Sequence, residues 1–112
     1  MASFVFALPI PEGKADAWRQ AAQEFTVARR KDFEGHIRRI GLRHQEWWVT
    51  PQGDMLIVAN EGDEPEQMMP KFAASNHPFD DEWKRFILDT LGIDINQPPP
   101  GPMTEKLASW DA

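Results

Sequence analysis

The sequence predicts one small α+β domain with a βαββαβ order of elements and an antiparallel sheet. Three observations carry this. The chain has 112 residues, 41% hydrophobic and 27% charged, the balance of a single folded domain rather than of a disordered chain. Runs with strand character stand at Ser3 to Ile10 and on both sides of the turn sequence Pro51-Gln52-Gly53-Asp54. Apolar residues at helical spacing fill the stretches between and after them.

In the first run Phe4, Phe6, Leu8 and Ile10 point one way, and Val5 and Ala7 the other. Both faces are apolar, so both are expected to be covered. Pro9 and Pro11 end the strand. Glu12-Gly13-Lys14 turns the chain into an amphipathic helix from Ala15 to about Lys31, with Trp18, Ala22 and Phe25 as its buried stripe. Phe33 to Ile40 adds a short helical piece before Gly41. Leu42 to Thr50 and Met55 to Asn60 form a hairpin, with Gly53 available for a positive φ.

Asp63 is the expected N-cap of the next helix, with Pro65 in its first turn and Glu66 at capping-box spacing. Met68, Met69, Phe72 and Ala73 face inward. Pro78 disfavours helix at His77, and Asp80 or Asp81 then caps a last helix with Trp83, Phe86, Ile87 and Leu91 inward and Gly92 as its stop. Residues 92–112 form a Pro-rich tail, in which Asn96 to Pro102 is an extended connector and Thr104 to Trp110 the expected fourth strand.

This order is the ferredoxin-like plan with its second helix broken, spanning residues 1–112 as one domain. Helices cover one face of such a sheet. The third strand is apolar on both sides, Met55, Ile57 and Ala59 opposite Leu56 and Val58. The second face therefore needs a cover, and a second copy of the chain, forming a homodimer through the sheet face, is the simplest one.

Composition narrows the functional classes. The absence of Cys removes disulfides, thiolate metal sites and Cys nucleophiles, and agrees with a reducing, cytoplasmic setting. A net charge of −6 argues against nucleic acid as a partner. The apolar stretch Phe4 to Ile10 is too short to span a bilayer and lacks the flanks of a signal peptide, so no membrane partner is expected. Charge is uneven: residues 1–43 carry net +3 and residues 44–112 net −9. The basic stretch of Arg29, Arg30, Lys31, Arg38, Arg39 and Arg43 reads either as a solvated helix end or as an anion-attracting rim. No Gly-rich phosphate loop, H-E-x-x-H or G-x-S-x-G occurs, and His36, His44 and His77 match no metal-ligand spacing, so neither cofactor nor metal is expected. Met68 and Met69 read as core filler.

Phe4 to Lys14, with its P-x-G-K entry, resembles the first strand and turn of the dimeric α/β-barrel superfamily. Ser75-Asn76-His77-Pro78-Phe79-Asp80 is similar to the segment before the last helix of its stress-responsive A/B-barrel group, where H-P-x-H recurs. The hairpin Thr50 to Asp54 and the tail Pro98 to Trp110 resemble an uncharacterised subgroup of small bacterial proteins. The resemblance implies two sheets sharing a barrel, with a pocket between each sheet and its helices. In the stress-responsive group the working residue is the later His of H-P-x-H, where this chain has Asp80. The monooxygenase branch resembling antibiotic-biosynthesis enzymes uses an Asn on the first strand, and Ser3 to Ile10 has none.

The second strand is the unusual one. His44, Glu46 and Trp48 share one face, and Arg43, Gln45 and Trp47 the other. A His and a Glu at alternate strand positions suit an acid–base pair, with Glu46 fixing the tautomer of His44 or raising its pKa. Arg43, Trp47 and Trp48 are the candidate substrate-binding residues. The plainer reading of His44 and Glu46 is a surface charge pair. His77 is the third candidate catalytic residue, with a helix-junction role as its plain alternative. Two functions follow: a dimeric module that binds a small apolar or aromatic metabolite between sheet and helices, or a small cofactor-independent enzyme of monooxygenase, cyclase or isomerase type that uses His44 and Glu46.

Overall fold

The computed structural model describes residues 2–97 and 103–112. Residues 98–102 of the predicted connector lie outside the described residues. The elements run β1 (Ala2–Pro9), α1 (Ala15–Gln23), a wide π-type turn (Glu24–Ala28), α2 (Arg30–Arg39), β2 (His44–Val49), β3 (Met55–Gly62), a short 3-10 turn (Pro65–Gln67), α3 (Met68–Ala74) and α4 (Pro78–Leu91). The sheet is antiparallel, with β3 between β1 and β2.

The hairpin between β2 and β3 is held by its turn residues. The Gly53 amide donates to the Thr50 carbonyl at 2.8 Å. The Thr50 hydroxyl bonds Asp54 and accepts from the Met55 amide. Gly53 has φ +73°, the left-handed region that glycine enters without steric cost. The register places Phe4, Asn60 and Gln45 in one row across the three strands, and Ala7, Ile57 and Trp48 in another.

Alternation decides which row faces which way. Phe6, Leu56 and Val58 are buried beneath the helices, whereas Val5 is 43% and Trp48 60% exposed on the open face. The buried layer is aromatic. Trp83 of α4 stacks on Trp47 of β2 at 5.3 Å and meets Trp18 of α1 edge-on at 5.5 Å, and Phe25 packs on Trp83 at 4.8 Å. Each such contact adds about 1 kcal/mol to the burial of the rings. The Trp18 indole donates to Thr90, which in turn donates to the Phe86 carbonyl, so this polar edge is satisfied inside the core.

Three expectations are corrected. The single helix from Ala15 to Lys31 breaks: the backbone widens over Glu24–Ala28 and leaves helical angles at Arg29 (φ −113°, ψ 41°), so α2 is a separate ten-residue helix. Thr26 bonds the Ala22 carbonyl, the back-bonding that loosens a helical turn. Arg29 fastens the break to α4, forking onto Glu82 at 2.6 and 3.0 Å and lying over the rings of Phe25 and Phe79.

The caps also differ. Asp63 pairs with Arg43 instead of capping, and a 3-10 turn precedes α3. In α4 the N-cap is His77, whose Nδ1 accepts from the Phe79 amide at 3.1 Å, whereas Asp80 lies in the first turn with its side chain buried.

Thr104 to Trp110 forms no strand. The Thr104 hydroxyl donates to the Val5 carbonyl at 2.5 Å, and Lys106 reaches Ser3, so the tail passes β1 by side-chain contacts without a backbone ladder. Leu107 and Trp110, read as its apolar side, are 89% and 83% exposed. With no apolar surface covered, nothing offsets the cost of ordering a strand there.

Candidate functional site

A cavity of about 510 Å³ lies between the helix-facing side of the sheet and α1, α2, α3 and α4. That is ample for a small organic ligand. Its walls are Phe6, Leu8, Leu56 and Val58 from β1 and β3, Trp18 and Trp83 from the helices, Met68, Met69 and Phe72 from α3, and Ile93, Ile95 and Met103 at the C-terminal side. Polar lining is sparse: His36, Gln45, Asp94 and Gln97. Asp94 and Gln97 are exposed, whereas His36 is fully buried.

Trp47 enters this cavity, and its orientation is set by a chain of hydrogen bonds across the sheet. Asn60, 0% exposed, donates to the Phe4 carbonyl at 2.9 Å. Gln45 donates to Asn60 Oδ1, and Gln45 Oε1 accepts from the Trp47 indole, both at 2.8 Å. These residues are register neighbours, so the polar row costs no unpaired group.

His36 is the ionisable group in the cavity wall that is buried, and its position follows from helix spacing. Phe33, His36, Ile37 and Ile40 recur at helical intervals on α2, which turns His36 toward the core. Its ring packs on Phe33 and Phe72 at 5.4 and 4.8 Å. Its Nδ1 lies 2.9 Å from Oδ1 of Asp80, which is also wholly buried.

Asp80 is saturated. Arg39 forks onto both its oxygens at 3.0 and 2.7 Å, and Ser75 donates to Oδ2. Burial works to raise the Asp80 pKa, but the hydrogen bonds from Arg39, Ser75 and His36 outweigh it and hold the carboxyl well below its ordinary range. Burial pushes the His36 pKa down, against the opposing pull of Asp80. The result is a neutral imidazole beside an ionised carboxylate. Nδ1 therefore carries the proton and donates it, which leaves the lone pair on Nε2.

The residues singled out from the sequence are distributed differently. His44 Nε2 and Glu46 Oε1 are 2.8 Å apart, and the Trp48 indole donates to Glu46 at 3.3 Å. The hydrogen bond to Glu46 raises the His44 pKa, and the bonds from His44 and then Trp48 lower that of Glu46. This trio sits on the open face of the sheet, with His44 and Glu46 about half exposed. Trp47 is on the other side, in the cavity wall. Arg43 precedes β2 and pairs with Asp63 at 3.1 Å. His77 caps α4 and does not line the cavity. The structure thus brings His44, Glu46 and Trp48 together and keeps Arg43, Trp47 and His77 apart from them.

Sequence reasoning noted His36 only as fitting no metal-ligand spacing and read Asp80 as a cap. The signal was present. Asp80, Trp83, Ile87 and Leu91 fall on one stripe of α4, as Phe33, His36 and Ile40 do on α2. The basic stretch is largely spoken for: Arg29 pairs with Glu82, Arg30 with Glu34, Arg39 with Asp80 and Arg43 with Asp63. No cluster of three or more His, Asp or Glu side chains suited to a metal occurs among the described residues. No helix among them is long and apolar enough to cross a membrane.

No protein-family model matches the chain, and no curated protein matches it by sequence. Among solved structures, an L-rhamnose mutarotase from Formosa agariphila is similar. It superposes with a TM-score of 0.61 over 98% of this chain and 100% of that one, at 13% identity. At such low identity the likeness shows the fold alone: this chain is a small α+β domain whose three-stranded antiparallel sheet and helices fit a ferredoxin-like neighbour.

Proposed function

We propose that this protein binds a small apolar or aromatic molecule in the cavity between its sheet and helices. The observation that carries the reading is the cavity itself: about 510 Å³, walled by Phe, Trp, Met and aliphatic side chains with few polar groups. A sugar-binding site needs many hydrogen-bonding groups, so the mutarotase activity named for the structural neighbour finds little support in this wall. Titration with naphthol, followed by quenching of Trp fluorescence, tests it. Saturable binding is expected, and it is lost in Val58→Phe, which fills the cavity from β3. Linear quenching with no saturation, or an unaltered curve in Val58→Phe, overturns the reading.

The same proposal includes a homodimer of the dimeric α/β-barrel type, in which the open faces of two sheets cover one another. Val5, Ala7, Met55, Ile57, Ala59 and Trp48 make that face apolar. The hydrogen bond between His44 and Glu46 favours a second reading, a cofactor-independent enzyme with this pair as acid and base. It needs the open face enclosed, since both groups are half exposed in a single chain. His44→Ala tests it: turnover of a candidate substrate is lost while the dimer persists, and undiminished turnover removes the pair from catalysis.

A further inference from the structure

We propose that Nε2 of His36 is the recognition atom of the cavity, and that the ligand is a neutral aromatic molecule carrying a hydroxyl group that docks on it. This inference rests on the cavity being a ligand site and goes further, to the chemistry it selects.

The geometry begins with an unspent acceptor. His36 is 1% exposed and bonds Asp80 through Nδ1. Nε2 has no hydrogen-bond partner among the described residues. Yet every side-chain nitrogen or oxygen sealed from space there has one. Nε2 is therefore not sealed, and the space beside His36 is the cavity. A buried imidazole lone pair facing an apolar cavity is costly to leave empty.

Trp83 supplies the complement. It is 4% exposed, lines the same cavity, and its indole N–H likewise donates to nothing among the described residues. The indoles of Trp18 and Trp47, by contrast, are both spent on Thr90 and Gln45. Among the buried aromatic rings of the wall, the His36 lone pair and the Trp83 N–H are thus the polar groups left unspent. A hydroxyl can donate to the His36 lone pair and can also accept from an N–H, whereas an ether can only accept.

The surroundings of Asp80 decide between accepting a hydrogen bond and taking a proton. In a catalytic dyad the carboxylate stabilises the imidazolium that forms. Here the Asp80 charge is already matched by the Arg39 fork, and the ring is enclosed by Phe33, Phe72 and Phe79. A cation at His36 gains little from a neutralised carboxylate and loses its solvation. The dyad with its Arg clamp orients a neutral acceptor. For the same reason an anionic ligand finds no donor at His36.

The experiment compares naphthol, methoxynaphthalene and naphthoate by calorimetric titration of the full chain. Naphthol is expected to bind roughly five- to tenfold more tightly than its methyl ether, and naphthoate more weakly than either. His36→Leu should remove the preference for naphthol and keep binding of the ether. Equal affinity of naphthol and ether in the wild type, or tightest binding of naphthoate, overturns the role of His36 and leaves the cavity reading standing. Failure of all three to bind overturns both. Nitrogen-15 NMR of the wild-type imidazoles keeps the proposal testable if His36→Leu does not fold. The His36 Nε2 resonance should shift with naphthol and stay in place with the ether, and identical shifts from both contradict the proposal.

Discussion

Nδ1 of His36 on α2 donates to Oδ1 of Asp80 on α4 across 2.9 Å, and both side chains are buried. With Arg39 and Ser75 on the same carboxylate, this one group ties α2, α4 and the junction between α3 and α4 together. Removing one partner of a buried ionic network costs about 3–5 kcal/mol, because the others are left unmatched. Asp80→Asn keeps the shape and loses the charge. It is expected to destabilise the fold by about 3 kcal/mol in urea unfolding. A loss below about 1 kcal/mol would show that the network contributes little beyond packing.

The same pair predicts the response to acid. The folded-state pKa of His36 lies below its ordinary value of 6.5, and that of Asp80 below 3.8. In both cases the unfolded chain binds protons first. The stability from His36 is full above pH 6.5 and falls as pH drops toward its folded value; that from Asp80 is lost further down, as pH falls through its own. His44 runs the other way, its raised pKa giving stability present below 6.5 and lost at higher pH, but its half-exposed position leaves that effect small. Between pH 7 and 5 the urea midpoint is therefore expected to fall, as the unfolding free energy drops by at most about 1.4 kcal/mol per pH unit for one group. His36→Phe should flatten it. A midpoint unchanged between pH 7 and 5 contradicts a buried neutral imidazole.

His77 gives a prediction that separates a structural role from a chemical one. Its Nδ1 caps α4 by accepting from the Phe79 amide. Loss of a side-chain cap costs about 1 kcal/mol, and Asn restores it because its amide oxygen accepts in the same place. His77→Ala should be destabilised by about that amount, His77→Asn should not, and naphthol affinity should be the same in both. A tenfold loss of affinity in His77→Asn at unchanged stability would return His77 to the site.

The contrast between His77 and Asp80 also shows what was legible beforehand. Strand faces follow from strict alternation, so Phe6 opposite Val5 and Leu56 opposite Ile57 could be read directly, but with both faces apolar the side under the helices could not. The Gly53 turn and the Gly92 stop follow from their positive φ. The caps could not be assigned, because Pro78 leaves His77 and Asp80 both within reach of free amides, and tertiary partners chose between them. Arg39 lies on α2 and Asp80 on α4, 41 positions apart, and nothing local announces their meeting. Thr104 to Trp110 reads as a strand from Leu107 and Trp110 alone, but a strand also needs a partner and an apolar surface to cover.

The open sheet face carries the last prediction. Its rows Val5–Ala59–Glu46 and Ala7–Ile57–Trp48 make an apolar strip edged by His44, Glu46 and Glu61. Val5 and Trp48 are the large apolar side chains most exposed on it. Water against such a strip is costly, and the cost is relieved when two copies meet about a two-fold axis, since the strip is then its own partner. Light scattering at micromolar concentration should give twice the chain mass. Ile57→Glu sets like charges against each other at the centre of that contact and should give a monomer, whose naphthol cavity on the other side of the sheet is retained. Trp48→Ala removes ring area without adding charge and should weaken the dimer less. A wild-type chain that stays monomeric at these concentrations would leave the strip to a different occupant, and Ile57→Glu would then change neither mass nor binding.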